Sequence, residues 1–304
     1  MVLASPLFLL VFAGYALMRL LRLPTALSDY LTRFVFSVAL PAMLFRLMSD
    51  FSQLPPVDAR LLIAFFGSCL IVFAIGRVIA WKLFALDGVG QSVFALGGVF
   101  SNNVMLGLPM AKLVLGDAAL PAVALILVSN ALILWTLVTV SVEWARHGSF
   151  SLRGGAKTVR AVLTNPVVAG IIAGTLFGMT GLSLPAPVDK ALLLMGQAAA
   201  PLALFTLGMG LAEYGIRDGL RTSLSIVAIK LLLQPLVVWA LARALALPPM
   251  ETQVVVLLAS ISVGTNVYLM ARQFKVLEGA VAGSLLLSTL LAALTTPLVL
   301  ALSQ

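Results

Sequence analysis

The sequence predicts an all-α membrane protein, with ten transmembrane helices forming two inverted five-helix repeats whose helices 4 and 9 are broken. Three observations carry that expectation. The 304-residue chain is 62% hydrophobic and only 10% charged, with a mean hydropathy of +1.14. A soluble domain of that balance would expose one continuous apolar surface. The lysines and arginines gather at one side of the apolar runs, and segments 160 residues apart resemble one another.

Runs near the ~20 residues that cross a hydrocarbon core fall at 2–18, 29–48, 60–81, 91–114, 119–141, 162–180, 190–212, 222–244, 251–272 and 279–302. The first leads directly into further spans and lacks a basic n-region, so it reads as a span rather than a cleaved signal. Connections are short. The longest is a basic cytoplasmic loop over 142–161, containing His147, Arg153 and Lys157. It separates a first repeat (1–141) from a second (162–304), and no extramembrane stretch is long enough to form a domain.

Charge sets the orientation. With both termini outside, the cytoplasmic ends collect Arg19, Arg22, Arg33, Arg77, Lys82, Arg146, Arg153, Lys157, Arg160, Arg217, Arg221, Arg272 and Lys275. The outside holds only Arg46, Arg60, Lys112, Lys190 and Arg243, a clear positive-inside asymmetry. The net charge of +8 is thereby explained by an anionic leaflet of the bilayer, with no nucleic acid involved.

The repeat is visible residue by residue. Pro6, Gly14, Pro41 and Phe45 meet Pro166, Gly174, Pro201 and Phe205 at an offset of 160, and "ALPAMLFRL" (39–47) meets "AAPLALFTL" (199–207). At a slightly larger offset "NVML" (103–106) meets "NVYL" (266–269). Two copies of an odd number of spans must lie upside down to one another. Inverted repeats are the architecture of many secondary transporters, which place their site near the midplane at discontinuous helices.

Polar residues fall where that architecture requires them. Span 4 carries Ser101, Asn102, Asn103, Gly107 and Pro109, and span 9 carries Ser260, Ser262, Gly264, Thr265, Asn266 and Tyr268. Pro109 cannot donate a backbone bond to residue 105, and Gly107 lowers the cost of unwinding. Freed backbone groups cannot face lipid, and asparagine offers both a donor and an acceptor to a cavity. Gly107, Pro109 and Gly264 are thus the expected helix breaks. Helix-to-helix hydrogen bonding is the structural alternative for the asparagines.

"SNNVMLGLP" (101–109), "TNVYLMARQF" (265–274) and "LPAMLF" (40–45) together resemble the auxin efflux carrier family of bacteria and plants, over essentially the whole chain. The resemblance implies a fold related to bile acid/sodium symporters, with spans 4 and 9 crossing near the middle. It also implies a scaffold of spans 1, 2, 6 and 7, often a homodimerising one, and a moving unit of spans 3–5 and 8–10. Small organic anions are the implied cargo, such as malonate or an auxin-like acid, and the bacterial inner membrane is the implied location. One departure stands out: the family places a proline ahead of the span-9 asparagine, whereas "SISVGT" (260–265) has none.

Lys230 lies nine residues past Arg221, roughly 13 Å along a helix at ~1.5 Å per residue. An intramembrane cation at that depth faces the protein interior or a water-filled cavity. Two roles compete: attracting an anionic substrate, or neutralising the negative C-terminal ends of the broken helices. A helix-end lysine is the bland alternative. Gln234 and Pro235 add local irregularity, and Asn130 in span 5 either reaches the cavity or bonds a neighbouring helix.

Absences narrow the class. The acidic residues fall at span ends or in loops, whereas a sodium/proton antiporter carries a midplane carboxylate. One histidine, His147, and one cysteine, Cys69, build neither a catalytic pair nor a typical zinc site, so no enzyme, metal or cofactor is expected. The expectation is a carrier of a small organic anion working by alternating access. Asn102, Asn103, Asn266, Thr265, Tyr268, Ser101 and Asn130 would line the site, and Lys230 would set its potential. A channel-like anion pore and an ion-coupled symporter remain as alternatives.

Overall fold

The computed structural model describes residues 5–50, 57–147, 164, 166–212 and 219–302. The described residues form α1 (Ser5–Leu21), α2 (Thr25–Ser49), α3 (Arg60–Phe84), α4 (Gly88–Val99), α5 (Asn103–Leu115), α6 (Leu120–His147), α7 (Pro166–Met179), α8 (Ala186–Leu211), α9 (Leu220–Ala244), α10 (Pro249–Ser260), α11 (Thr265–Phe274) and α12 (Glu278–Leu302). Among these, α2, α3, α8, α9 and α12 are long and apolar enough to cross a membrane. The expected spans 91–114 and 251–272 are each divided in two, α4 with α5 and α10 with α11. The 12 residues of α4 reach only about 18 Å, half-way across a bilayer.

Local sequence explains where the helices bend. Among the described residues three π-helical turns occur, Val35–Ala39 within α2, Asn103–Gly107 opening α5 and Ile229–Leu233 within α9. Each is followed by one residue and then a proline: Pro41, Pro109 or Pro235. A proline removes the N–H that would close the turn four residues back. The widened turn lets the preceding residue bond one carbonyl further back, Leu40 to Val35, Leu108 to Asn103 and Gln234 to Ile229. Helix starts use ordinary devices: the Asp87 carboxylate caps α4 by accepting from Gly90 N–H at 2.8 Å, and Pro249 opens α10.

Packing sorts the helices into two groups. In the first, α1 packs along α8, the second half of α2 along α7, and α8 against α2. These contacts are backbone-close: a β-carbon added to Gly14 would fall 2.0 Å from the Phe205 carbonyl oxygen, and one added to Gly174 would fall 2.4 Å from that of Phe45. In the second group α3, α4, α6, α9, α10, α11 and α12 enclose one another. Its innermost members are α4, buried throughout Val89 to Val99 save Gln91, and α10, buried from Glu251 to Ser260 save Gln253. The α5 helix reaches from this group to α8. Outward faces remain apolar, with Leu20, Trp81, Leu294 and Leu302 all exposed, an arrangement that lipid tolerates and water does not.

The basic loop starts later than the sequence suggests. Residues 142–147 belong to α6, because Glu143, Trp144, Ala145 and Arg146 contain no helix breaker and the first glycine is Gly148. The loop residues Arg153, Lys157 and Arg160, with Glu213 and Arg217 before α9, lie outside the described residues. At the N-terminal end of α3, the exposed Arg60 donates from Nε to the half-buried Asp58 carboxylate at 2.8 Å and holds that carboxyl below its ordinary value.

Candidate functional site

Two extended breaks cross at the centre of the second group. Phe100 leaves α4 in an extended conformation (φ −83°, ψ 105°), and Ile261 leaves α10 likewise (φ −80°, ψ 174°). The strands run antiparallel with Ser101 opposite Val263. Asn102 N–H donates to Ser262 O at 3.0 Å, and Gly264 N–H donates to Phe100 O at 2.8 Å. Each break therefore satisfies backbone groups of the other, which is the condition for irregular backbone at membrane depth. Asn102 itself forms an inverse γ-turn (φ −77°, ψ 59°), with Asn103 N–H donating to Ser101 O at 2.8 Å.

Side chains from α9 and α12 complete the accounting. Ser288 Oγ accepts from Val263 N–H at 3.0 Å, and Thr296 Oγ1 donates to Ser260 O at 2.9 Å. Lys230, fully buried in the π-turn of α9, donates from Nζ to Ala259 O. These two hydrogen bonds meet the last two carbonyls of α10, those of Ala259 and Ser260. The C-terminal ends of α4 and α10 and the N-terminal ends of α5 and α11 all meet here, bringing negative and positive helix ends together.

What remains unpaired defines the candidate site. Ser101 Oγ, Asn102 Nδ2, both Nδ2 and Oδ1 of Asn103, and Ser262 Oγ are buried with no hydrogen-bond partner among the described residues. Ser101, Asn102 and Asn103 are only 2–4% exposed. Buried polar groups are almost always paired, so five such atoms around one bridge mark a place for water or a polar ligand. Thr265, Asn266 and Tyr268 open α11 beside this bridge and are half-buried, and the Arg272 guanidinium lies 6.0 Å from the Tyr268 ring centre. Asn130, in α6 rather than in either break, is also buried with Oδ1 unpaired.

The positions of the helix breaks differ in part from the sequence reading. The first lies at residues 100–102, and Gly107 and Pro109 stand inside α5. Pro109 produces the π-turn rather than the break. Gly107 instead permits close approach of α10, since a β-carbon there would fall 2.7 Å from Leu258 Cδ2. Gly264 stands at the break itself, where a β-carbon would fall 2.8 Å from Phe100 Cδ1 and 3.0 Å from Ser101 O. The second break forms without a proline, held by the bridge and by Ser288.

Sequence reasoning passed over Ser288 and Thr296. Their only signal was a set of hydroxyls at 284, 288, 289, 295 and 296 in an otherwise apolar span. Arg46 falls away from this site: its Nε lies 2.7 Å from Asp189 Oδ1, joining α2 to α8 in a half-exposed pair worth at most about 1 kcal/mol. Among the described residues no group of three or more His, Cys, Asp or Glu side chains is placed to hold a metal ion.

Known proteins resemble this chain along its length. A protein of Rhizobium meliloti (strain 1021) named "Putative malonate transporter" is 29% identical over 303 residues, covering 96% of this chain and 92% of that one. The model of the family described as "Membrane transport protein" matches residues 1–300. Family and relative are transporters and not enzymes. With an apolar exterior and five membrane-length helices among the described residues as well, the chain is an integral membrane protein and belongs to the membrane transport protein family, that of the auxin efflux carriers.

Proposed function

We propose that the protein is a secondary carrier that moves a small organic anion through alternating access, with the crossing of the two breaks as its binding site. The observation that carries this reading is the set of buried, unpaired atoms on Ser101, Asn102, Asn103 and Ser262 beside two helix N-termini. Helix N-termini attract carboxylates, and asparagine amides supply the donors that a carboxylate needs. Thr265, Asn266 and Tyr268 face the anion from α11, and Asn130 from α6. Malonate and similar dicarboxylates are the first cargo to try, given the name of the Rhizobium meliloti relative. An anion leaving the cytoplasm runs down a negative-inside potential, worth ~2.3 kcal/mol per charge per 100 mV.

The ten-span inverted repeat belongs to this proposal. It is supported by the reciprocal contacts of Gly14 with Phe205 and of Gly174 with Phe45, residues related by the same offset of 160. The antiparallel bridge is likewise a contact that a two-fold axis would exchange with itself. In this reading α1, α2, α7 and α8 form a scaffold that pairs with a second copy, and the remaining helices move against it. Both termini face outward from a bacterial inner membrane.

The test is a thermal-shift screen of organic acids on the purified protein, followed by uptake into proteoliposomes. A carboxylate is expected to raise Tm saturably, and substrate on the far side to accelerate exchange. Folded Asn103→Ala and Asn266→Ala proteins that bind and transport as the wild type does would refute the site. Conductance far above carrier turnover would favour a pore instead.

A further inference from the structure

Among the described residues Lys230 is the only buried cation, and its surroundings are unusual for a lysine. No carboxylate lies in the interior of α3, α4, α9, α10 or α12: the acids of these helices stand in their first turns, as Glu251 and Glu278 do. The ammonium instead donates to Ala259 O in the last turn of α10. Its own π-turn packs against α3, α4, α10 and α12. The residue before it, Ile229, presses on the last turn of α4, where a β-carbon at Gly98 would fall 2.5 Å from Ile229 Cγ2. One turn of α9 therefore touches both C-terminal helix ends that converge at the crossing.

Those ends form an environment for a cation. Each helix C-terminus carries about half a negative charge. Broken-helix carriers use such carbonyls to coordinate sodium ions or protons. A second oxygen stands unused close by in sequence: Gln234, four residues along α9, is fully buried, with Oε1 unpaired and Nε2 3.4 Å from both Ser68 Oγ and Cys69 Sγ. An ammonium has three donors to place, and one goes to Ala259 O.

We propose that the Lys230 ammonium is a tethered cation filling a monovalent-cation site at the end of α10, so that the crossing holds its charge balance without a mobile alkali ion. The charge stays with the protein through the transport cycle. Its consequence for coupling rests on the carrier reading above, but the site itself is tested without substrate, so the two can fail separately.

The experiment compares thermal unfolding of the purified protein in choline chloride and in sodium chloride at equal ionic strength. Wild-type Tm is expected to be the same in both salts. Lys230→Ser, which opens the site and adds an oxygen, is expected to lose about 5 °C or more in choline. It should regain much of that loss saturably with sodium, as a ligand bound only to the folded state does. Lys230→Met, which fills the space with apolar atoms, should be lowered equally in both salts. Recovery of folded Lys230→Ser only when sodium is present throughout purification also supports the proposal. A saturable sodium-dependent rise in wild-type Tm overturns it, an outcome that needs no variant. So does a Lys230→Ser protein that is indifferent to sodium, or one that cannot be recovered in any salt.

Discussion

Gly14 of α1 lies against the carbonyl of Phe205 in α8 at a spacing that admits no side chain, since a β-carbon there would fall 2.0 Å from the oxygen. The obstacle is backbone, so it cannot rotate away. Gly14→Ala is expected to destabilise the protein by about 1–3 kcal/mol, as overpacking does. Gly174→Ala should do the same, because its β-carbon would fall 2.4 Å from the Phe45 carbonyl oxygen. Gly67→Ala is the control: its β-carbon would sit 3.5 Å from Leu241 Cδ1, an ordinary contact. It should be neutral or stabilising by up to about 1 kcal/mol through helix propensity. Thermal unfolding of the three variants in one detergent decides the matter.

Asn103 separates stability from function. Its Nδ2 and Oδ1 are both buried and unpaired. A group in that state costs stability, about 1–3 kcal/mol, until a ligand meets it. Asn103→Ala should therefore leave the Tm of the substrate-free protein unchanged or raised, while substrate binding weakens about tenfold or more. A residue that only joined helices would behave in the opposite way, with Tm falling and affinity unaltered. Substrate titration monitored by thermal shift reads both quantities from the same sample.

The degree to which this site was legible in the sequence depended on the kind of signal. Asn102, Asn103 and Asn266 stood out because polar residues at matched places in two apolar spans are costly in lipid. Pro109 and Gly107 were equally visible, yet the break formed at residues 100–102. A proline perturbs the turn before it, whereas the break is held by hydrogen bonds to a strand 160 residues away. No local rule contains that partner. Gln234 and Pro235 did announce the irregular turn around Lys230, because there the cause is local. Ser288 and Thr296 were not singled out, since a hydroxyl in a membrane helix ordinarily bonds its own backbone. Thr289 does so, donating to Leu285 O at 2.8 Å, and Ser288 does so too at 3.2 Å while also accepting from Val263 N–H.

Those two hydroxyls carry a prediction of their own. Ser288→Ala leaves Val263 N–H without its acceptor, and Thr296→Val leaves Ser260 O without its donor. Both backbone groups are buried in the crossing, and each orphan should cost about 1–3 kcal/mol. Thr295→Val makes the comparison: it removes only an exposed bond to Leu291 O and should change stability by under about 0.5 kcal/mol. If the crossing moves as one unit in transport, the first two variants should also slow exchange, and Thr295→Val should not. Tm and initial exchange rates, measured together, test both statements.

Pro109 offers the sharpest separation of helix stability from activity. Its missing N–H leaves Met105 O without a closing bond, and the turn widens so that Leu108 N–H reaches Asn103 O. Pro109→Ala returns that donor and lets the turn tighten toward an ordinary α-helix, which alone should favour α5 by up to about 3 kcal/mol. Tightening removes one residue's worth of rotation, roughly 100° at 3.6 residues per turn. Asn102 and Asn103 would then be carried away from Ser262 and the bridge. The expected outcome is a protein at least as stable as the wild type with substrate affinity and exchange both strongly reduced. Pro41→Ala alters the equivalent π-turn in α2, far along the chain from either break, and should leave affinity intact. Equal loss of activity in the two variants would show that the π-turn serves general packing, and normal activity in Pro109→Ala would remove Pro109 from the functional site.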